Sequence, residues 1–435
     1  MKRLLIVTYY WPPSGGAGVQ RWVKLSRYFA EKGVEVHVVT VDPGKGSYAL
    51  MDPTLQNDVH PSVKVHRTDT FEPFGIYKAI TGKKQIPFGG FANEDKEKIK
   101  FSQKFTRFVR GNMFLPDARV GWNKYAYREC AKIIEKEKID AVITTSPPHS
   151  TQLVGLKLKK KFGIKWLADL RDPWTDIYYY DKLYLTSWAR SRDAEMERKV
   201  LETADEVVVV SDEIKRNLAE KVKLKSKDSI HVVPNGFDVN DFKNVKRSHE
   251  EKKLIISYTG TLTNDYRIDA FLSAIKRLLV LHPEFFLHIT GSFPESVREA
   301  IRSAAGDHVK FLPHVAHHEA VEQMCAADIL LLVIPEAKGN KGILTGKLFE
   351  YLASYKPIIC IGPVDGDAAR IIATCSSGKT FSYEDGTGME KYLEEIATEW
   401  KRTGSTSSGI KLLIDKYSRE MQATQMLELL NRTQK

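Results

Sequence analysis

Short apolar runs alternate with amphipathic stretches along nearly the whole chain. Residues 4–9 are apolar and β-branched, which predicts a buried strand. A glycine loop at 11–18 follows, then a predicted helix with Val19, Trp22, Val23 and Phe29 on one face and Gly33 as its stop. Further strands are predicted at 34–41, 63–66, 141–145, 165–170, 206–210 and 230–233. Between them lie helices over 122–138, through Leu153, Leu156 and Leu158, and up to about 202. A polar stretch at 240–252 reads as a linker, and the alternation then restarts. Strands are predicted at 254–258, 285–290, 309–312, 329–333 and 358–362, with helices at 268–279, through Met324, from Thr345, and over 417–430. Strands alternating with helices mean parallel, doubly wound sheets. The expected fold is therefore α/β, two Rossmann-like domains facing a cleft. In such sheets ligands sit beyond the C-terminal ends of the strands, where Gly15, Gly16, His149 and Asp172 all fall.

One helix start carries chemistry. In 345–353 (Thr-Gly-Lys-Leu-Phe-Glu-Tyr-Leu-Ala), Leu348 and Leu352 stand four apart, and Thr345 suits an N-cap. A helix start is electropositive, so Lys347 is misplaced there unless an anion binds the amides around Gly346. Glu350 is suited to a second part of the same ligand, such as a ribose hydroxyl pair. The competing reading is an ordinary amphipathic helix whose lysine reaches water. The glycine loop at 11–18 is not the dinucleotide fingerprint, and Asp42 is only a loose candidate for a ribose partner. Asp365 and Asp367 resemble a metal motif but lie in a turn after a strand, so no metal is expected there.

Composition changes the picture in one respect. With 42% hydrophobic and 28% charged residues the chain is ordinary for a globular protein, and no apolar run nears the ~20 residues of a membrane span. Four scattered cysteines show neither metal-ligand spacing nor a disulfide framework. The start of the chain lacks a signal-peptide pattern, so a cytoplasmic location is expected. The net charge of +11, however, is uneven: residues 1–200 hold 35 Lys+Arg against 22 Asp+Glu, or +13, and residues 201–435 hold 31 against 33, or −2. Residues 71–114 interleave phenylalanines with basic residues, and over 96–110 a helical plot sets Phe101, Phe105 and Phe108 on one side, with Lys96, Lys100, Lys104, Arg107 and Arg110 near or opposite them. That pattern suits an anionic membrane surface; inward packing of the aromatics is the alternative. Nothing supports nucleic acid as a partner.

The motifs taken together resemble glycosyltransferase family 4, retaining enzymes of the GT-B fold that build bacterial polysaccharides. They are the glycine loop, 146–150 (Ser-Pro-Pro-His-Ser), 169–174 (Asp-Leu-Arg-Asp-Pro-Trp), 233–237 (Val-Pro-Asn-Gly-Phe), 258–262 (Tyr-Thr-Gly-Thr-Leu) and 346–353. The resemblance implies an N-terminal acceptor-side domain at 1–245 with a variable insertion at 71–114. It further implies a nucleotide-sugar domain at 246–414 and a closing helix at 415–435. It implies a metal-independent hexosyltransferase of cell-envelope polysaccharide biosynthesis, using a nucleotide-diphosphate sugar and a glycan or lipid-linked acceptor. The resemblance implies no cofactor; the basic, aromatic stretch at 71–114 adds a peripheral place on the inner face of the plasma membrane as an expectation. By the same likeness Glu350 holds the donor ribose, and Thr345, Gly346, Gly260, Thr261, Gly291, Gly15 and Gly16 line the donor. His149, Arg267, Lys347 and Asp172 are the catalytic candidates, with Arg267 and Lys347 neutralising the leaving diphosphate. Two positions depart from the family pattern. Gly342 stands where the first glutamate of its E-x7-E motif falls, and Thr261 where the first of two cations falls. These departures leave open a non-catalytic GT-B partner subunit that binds sugar nucleotide or glycan, and a GT-B sugar-nucleotide epimerase.

Overall fold

The computed structural model describes residues 1–72, 101–222, 228–243, 245, 253–263 and 266–432. The chain divides into two compact units, Met1–Pro234 with Gln422–Lys435, and Asn235–Met421.

The first unit is built on a seven-stranded sheet. Its strands are β1 (Arg3–Val7), β2 (Glu35–Val41), β3 (Lys64–Thr68), β4 (Ala141–Ser146), β5 (Lys165–Leu170), β6 (Glu206–Val209) and β7 (Ile230–Val232). They run in the order β3-β2-β1-β4-β5-β6-β7, every pair parallel. Helices α1 (Ala17–Glu31), α2 (Phe101–Met113), α3 (Asn123–Glu137), α4 (Ser150–Phe162), α5 (Ser187–Thr203) and α6 (Asp212–Glu220) connect or cover them. Both faces of the sheet are packed, because alternate residues of one strand enter different cores. Leu5, Val7, Val142 and Ala168 lie in one, Leu4, Ile6, Ile143 and Leu167 in the other. Double burial is why these strands read as unbroken apolar runs.

The second unit repeats the plan with β8 (Leu254–Thr261), β9 (Phe285–Ser292), β10 (Val309–Leu312), β11 (Ile329–Val333), β12 (Ile358–Ile361) and β13 (Gly378–Phe381). Their order is β10-β9-β8-β11-β12-β13, again all parallel. Its helices are α7 (Asp269–Leu281), α8 (Glu295–Ala305), α9 (His317–Ala326), α10 (Gly346–Ser354), α11 (Asp367–Thr374), α12 (Gly386–Thr403) and the short α13 (Lys411–Ile414), and the chain closes on α14 (Arg419–Asn431). In each sheet the strand order reverses beside the first strand of the unit, between β1 and β4 and between β8 and β11. Such switch points open the crevice in which ligands of these sheets bind.

Several boundaries fall away from the sequence expectations, for packing reasons. The units part at 234/235, where composition suggested 245/246, because Phe237 is buried in the second unit's core. The closing helix is no separate element, since Ala423, Met426, Leu429 and Leu430 fill a core of the first unit. Strand β8 runs three residues past the expected end at 258, so Gly260 and Thr261 are strand residues paired with Gly291 and Ser292. The expected basic helix at 96–110 is observed as α2, while Lys96 and Lys100 lie outside the described residues. In α2 Phe105 and Phe108 are exposed, but Arg107, one of the basic residues expected to meet an anionic surface, is buried.

Candidate functional site

The second unit gathers unsatisfied polar groups at the start of α10, which follows β11 at the switch point. Thr345 occupies the N-cap position with extended backbone, yet its hydroxyl caps nothing: Oγ1 is buried and without a hydrogen-bond partner. Two residues on, the Lys347 ammonium donates to the Tyr258 hydroxyl at 2.8 Å and lies 4.2 Å from the centre of that ring. Tyr258 in turn donates to the Thr261 carbonyl at 2.8 Å. Burial holds Tyr258 as a neutral phenol, its pKa raised well above 10. No carboxylate forms an ion pair with Lys347 among the described residues. Desolvation therefore pushes the lysine down to about 8, against the milder upward pull of Glu350.

Two glycines make room for this arrangement. A Cβ on Gly260 would stand 3.0 Å from the Lys347 ammonium, so the lysine head lies directly against the end of β8. A Cβ on Gly291 would fall 1.9 Å from the Gly260 carbonyl oxygen, so the tips of β8 and β9 can close only with glycine there. Thr345, Gly346, Lys347, Gly260 and Thr261 are thus brought together. Glu350, one turn along α10, is held from another element: His317 Nε2 at the start of α9 lies 2.9 Å from its Oε1.

Arg267 is not drawn to Lys347. It precedes α7, is partly exposed, and its Nη1 pairs with Glu336 at 3.0 Å and Glu384 at 2.9 Å, carboxylates that follow β11 and β13. Gly342, at the family's glutamate position, is buried in a 3₁₀ turn, Asn340–Gly342. Asp365 pairs with Lys341 and Asp367 with Arg370, so each acid of that motif is offset by a neighbouring cation.

In the first unit the glycine loop is closed by its own chain. Gly16 is the N-cap of α1 at φ 101°. Gly15 donates its N–H to Leu50 at 3.0 Å and has no space for a Cβ against Asp52. A Cβ on Gly18 would fall 1.8 Å from Arg171 Nη1, so that guanidinium lies over the first turn of α1. Arg171 also donates to Thr145 Oγ1 at 3.2 Å and to the Ser146 carbonyl at 3.1 Å. His149 heads α4, stacked on Trp174 with ring centres 5.1 Å apart, and neither ring nitrogen has a partner. Burial, then the nearby Arg171 and Lys221, hold it uncharged, with a pKa pushed down to about 3. Asp172 carries a carboxyl raised by desolvation despite Arg171 beside it, and no hydrogen bond joins it to His149.

Three residues of these clusters escaped the sequence reading. Arg171 stood inside the motif at 169–174, and its meeting with Gly18 depends on a contact 153 positions apart. Tyr258 likewise opened the motif at 258–262 without its hydroxyl being assigned a role. His317 had no signal at all.

The two doubly wound units are those of the GT-B fold, and solved structures of that fold cover almost the whole chain. Sucrose-phosphate synthase from Thermosynechococcus elongatus superposes with a TM-score of 0.62 at 16% identity, covering 99% of this chain and 98% of its own. A glycosyltransferase from Rickettsia africae gives 0.60 at 13%, covering 99% of each. Anabaena HepE, solved in complex with UDP and glucose, gives 0.58 at 11%, also covering 99% of each. At these identities the likeness is one of fold. Residues 89–241 match the family model Glycosyltransferase Family 4, and residues 253–398 match Glycosyl transferases group 1. Together the matches support a glycosyltransferase of GT-B fold. No curated protein matches the chain.

Proposed function

We propose that the protein moves a sugar, with retention of anomeric configuration and without a metal, from a nucleotide-diphosphate sugar to a glycan, polysaccharide or lipid-linked acceptor. The observation that carries this reading is the start of α10, where among the described residues Lys347 has only a phenol for a partner and Thr345 Oγ1 has none. A diphosphate there satisfies both groups and the free helix amides at once. In the transfer, the bond from the anomeric carbon to the diphosphate oxygen breaks and one to the acceptor oxygen forms. The acceptor's hydroxyl proton passes to the departing phosphate oxygen on the same face. Negative charge grows on the leaving group, and the Lys347 ammonium with the helix dipole is preorganised to meet it. In this reading Glu350, held by His317 at 2.9 Å, accepts from the ribose hydroxyls.

A fold neighbour solved in complex with UDP and glucose makes uridine diphosphate sugars the first donors to try. Incubation with a panel of nucleotide sugars, scored for slow donor hydrolysis, tests the proposal. Free sugar and nucleotide diphosphate are expected. An isomerised sugar nucleotide would identify an epimerase. No turnover of any donor would leave a binding subunit, the reading that Gly342 and Thr261 favour.

A further inference from the structure

Helix α5 carries two buried acids one turn apart, Asp193 and Glu197, both bonded to the loop that leaves β5. A buried carboxylate is costly unless its oxygens accept hydrogen bonds, so it matters which groups supply them. Asp193 takes one on each oxygen: the Trp174 indole N–H donates to Oδ1 at 2.7 Å and the Tyr180 hydroxyl to Oδ2 at 2.8 Å. Glu197 accepts from the Thr175 hydroxyl at 2.6 Å and from the Lys221 ammonium at 2.8 Å. Trp174 and Thr175 are neighbours in the chain, so α5 pins two successive residues of one loop. Burial pushes the Asp193 carboxyl up to about 6, against the downward pull of its two donors. At neutral pH it is still ionised, and both oxygens accept.

The indole held in this way is the one on which His149 stacks, with the ring planes 15° apart. Among the described residues no hydrogen bond reaches either ring nitrogen of His149. The plane of the imidazole is therefore set by packing on Trp174 and not by a polar partner. A side chain that keeps its polar atoms for a ligand needs its rotamer locked by a supporting shell, and here that shell is the indole and the acid behind it.

We infer that Asp193 is a positioning residue for His149, fixing the plane of that imidazole through the Trp174 indole. The inference rests on the transfer reading, in which His149 is a catalytic candidate, but its first test needs no donor. Full-length protein carrying ¹³C,¹⁵N-labelled histidine is titrated by NMR, with the His149 signal assigned by His149→Gln. In the parent His149 should stay neutral down to about pH 5, as its burial dictates. Asp193→Leu keeps a side chain of similar size and removes both acceptors, so the indole is released and the His149 midpoint should rise toward the ordinary 6.5. Asp193→Asn keeps an oxygen for the indole N–H and should leave the midpoint at the parent's value. Trp174→Phe, which keeps a ring but removes the N–H, should raise the midpoint too, and it serves as the test if Asp193→Leu does not fold. With a donor that is turned over, kcat in Asp193→Leu should fall by up to about 10²-fold at unchanged donor KM, and Asp193→Asn should restore most of it. A midpoint that stays below about pH 5 in folded Asp193→Leu or Trp174→Phe would overturn the inference, leaving Asp193 as a support for α5 alone. So would a midpoint that rises as far in Asp193→Asn as in Asp193→Leu, or a kcat unchanged in a variant whose His149 titrates. A parent that turns over no donor sinks the transfer reading, while the titration still decides whether Asp193 holds His149.

Discussion

The starts of α1 and α10 each follow a strand that flanks a switch point, β1 in one sheet and β11 in the other, and both are glycine-lined. They differ in whether the protein completes its own polar contacts. At α1, Gly15 packs on residues 50–52, Gly16 supplies the backbone angle, and Arg171 lies over Gly18. The more deeply buried of that helix's two buried cations, Arg21, is answered by Asp169 at 3.3 Å and by the carbonyls of Val233 and Pro234. At α10, among the described residues, the Thr345 hydroxyl has no partner and Lys347 meets only a phenol. A glycine-rich helix start is therefore no sign of a ligand by itself. A cation left without a counter-charge is a stronger one, because desolvating it is costly unless something absent completes the contact.

That contrast can be broken at either end. The largest effect is expected at Arg21: Arg21→Met leaves the buried Asp169 with only the more distant Arg171, 3.9 Å away, as a counter-charge and should cost about 3 kcal/mol of stability, read by denaturant unfolding. Lys347→Met should do the opposite, leaving the unfolding midpoint unchanged or higher. Its loss should be in transfer, with kcat/KM about 10²–10³-fold lower, the effect of removing one preorganised electrostatic donor. If Lys347→Met unfolds the protein and Arg21→Met does not, the comparison is reversed. Glu350→Gln should raise the donor KM by an amount worth about 1–3 kcal/mol while keeping the fold, and His317→Ala should shift the same parameter less. Unchanged donor KM and kcat in Glu350→Gln would remove it from the site. The smallest expected effect is none: excess EDTA should leave turnover intact, and a requirement for Mg²⁺ or Mn²⁺ would bring Asp365 and Asp367 back into consideration.

Most of the fold was legible because strands buried on both faces leave continuous apolar runs; β5, β10 and β11 were placed to the residue. At β8 the reading stopped at Tyr258 because glycine and threonine look like loop, and only the pairing of Gly260 with Gly291 keeps them in the sheet. The α10 start was legible from one conflict, a lysine against a helix dipole. What Thr345 does was not, since an N-cap residue can occupy the position without turning its hydroxyl to the amides. Arg171 over Gly18, His317 on Glu350 and the inward turn of Arg107 arise from packing between distant segments, which local spacing does not encode. Arg267 shows the converse: its charge was legible, but the two carboxylates that take it up follow strands far along the chain.

The central claim, that Lys347 awaits a diphosphate, is most directly tested by titrating that lysine itself. In protein carrying ¹³C,¹⁵N-labelled lysine, with the signal assigned by Lys347→Arg, the free protein should show a midpoint near 8, below the ordinary 10.5. The depressed value means the folded protein gives up this proton first. Between those two pH values stability should rise with pH, and anion affinity should fall as pH passes about 8. A bound anion favours the charged form, so saturating UDP, GDP or ADP, whichever binds, should move the midpoint upward. A free-state midpoint near 10.5, or a midpoint near 8 that none of the three diphosphates moves, would contradict the account.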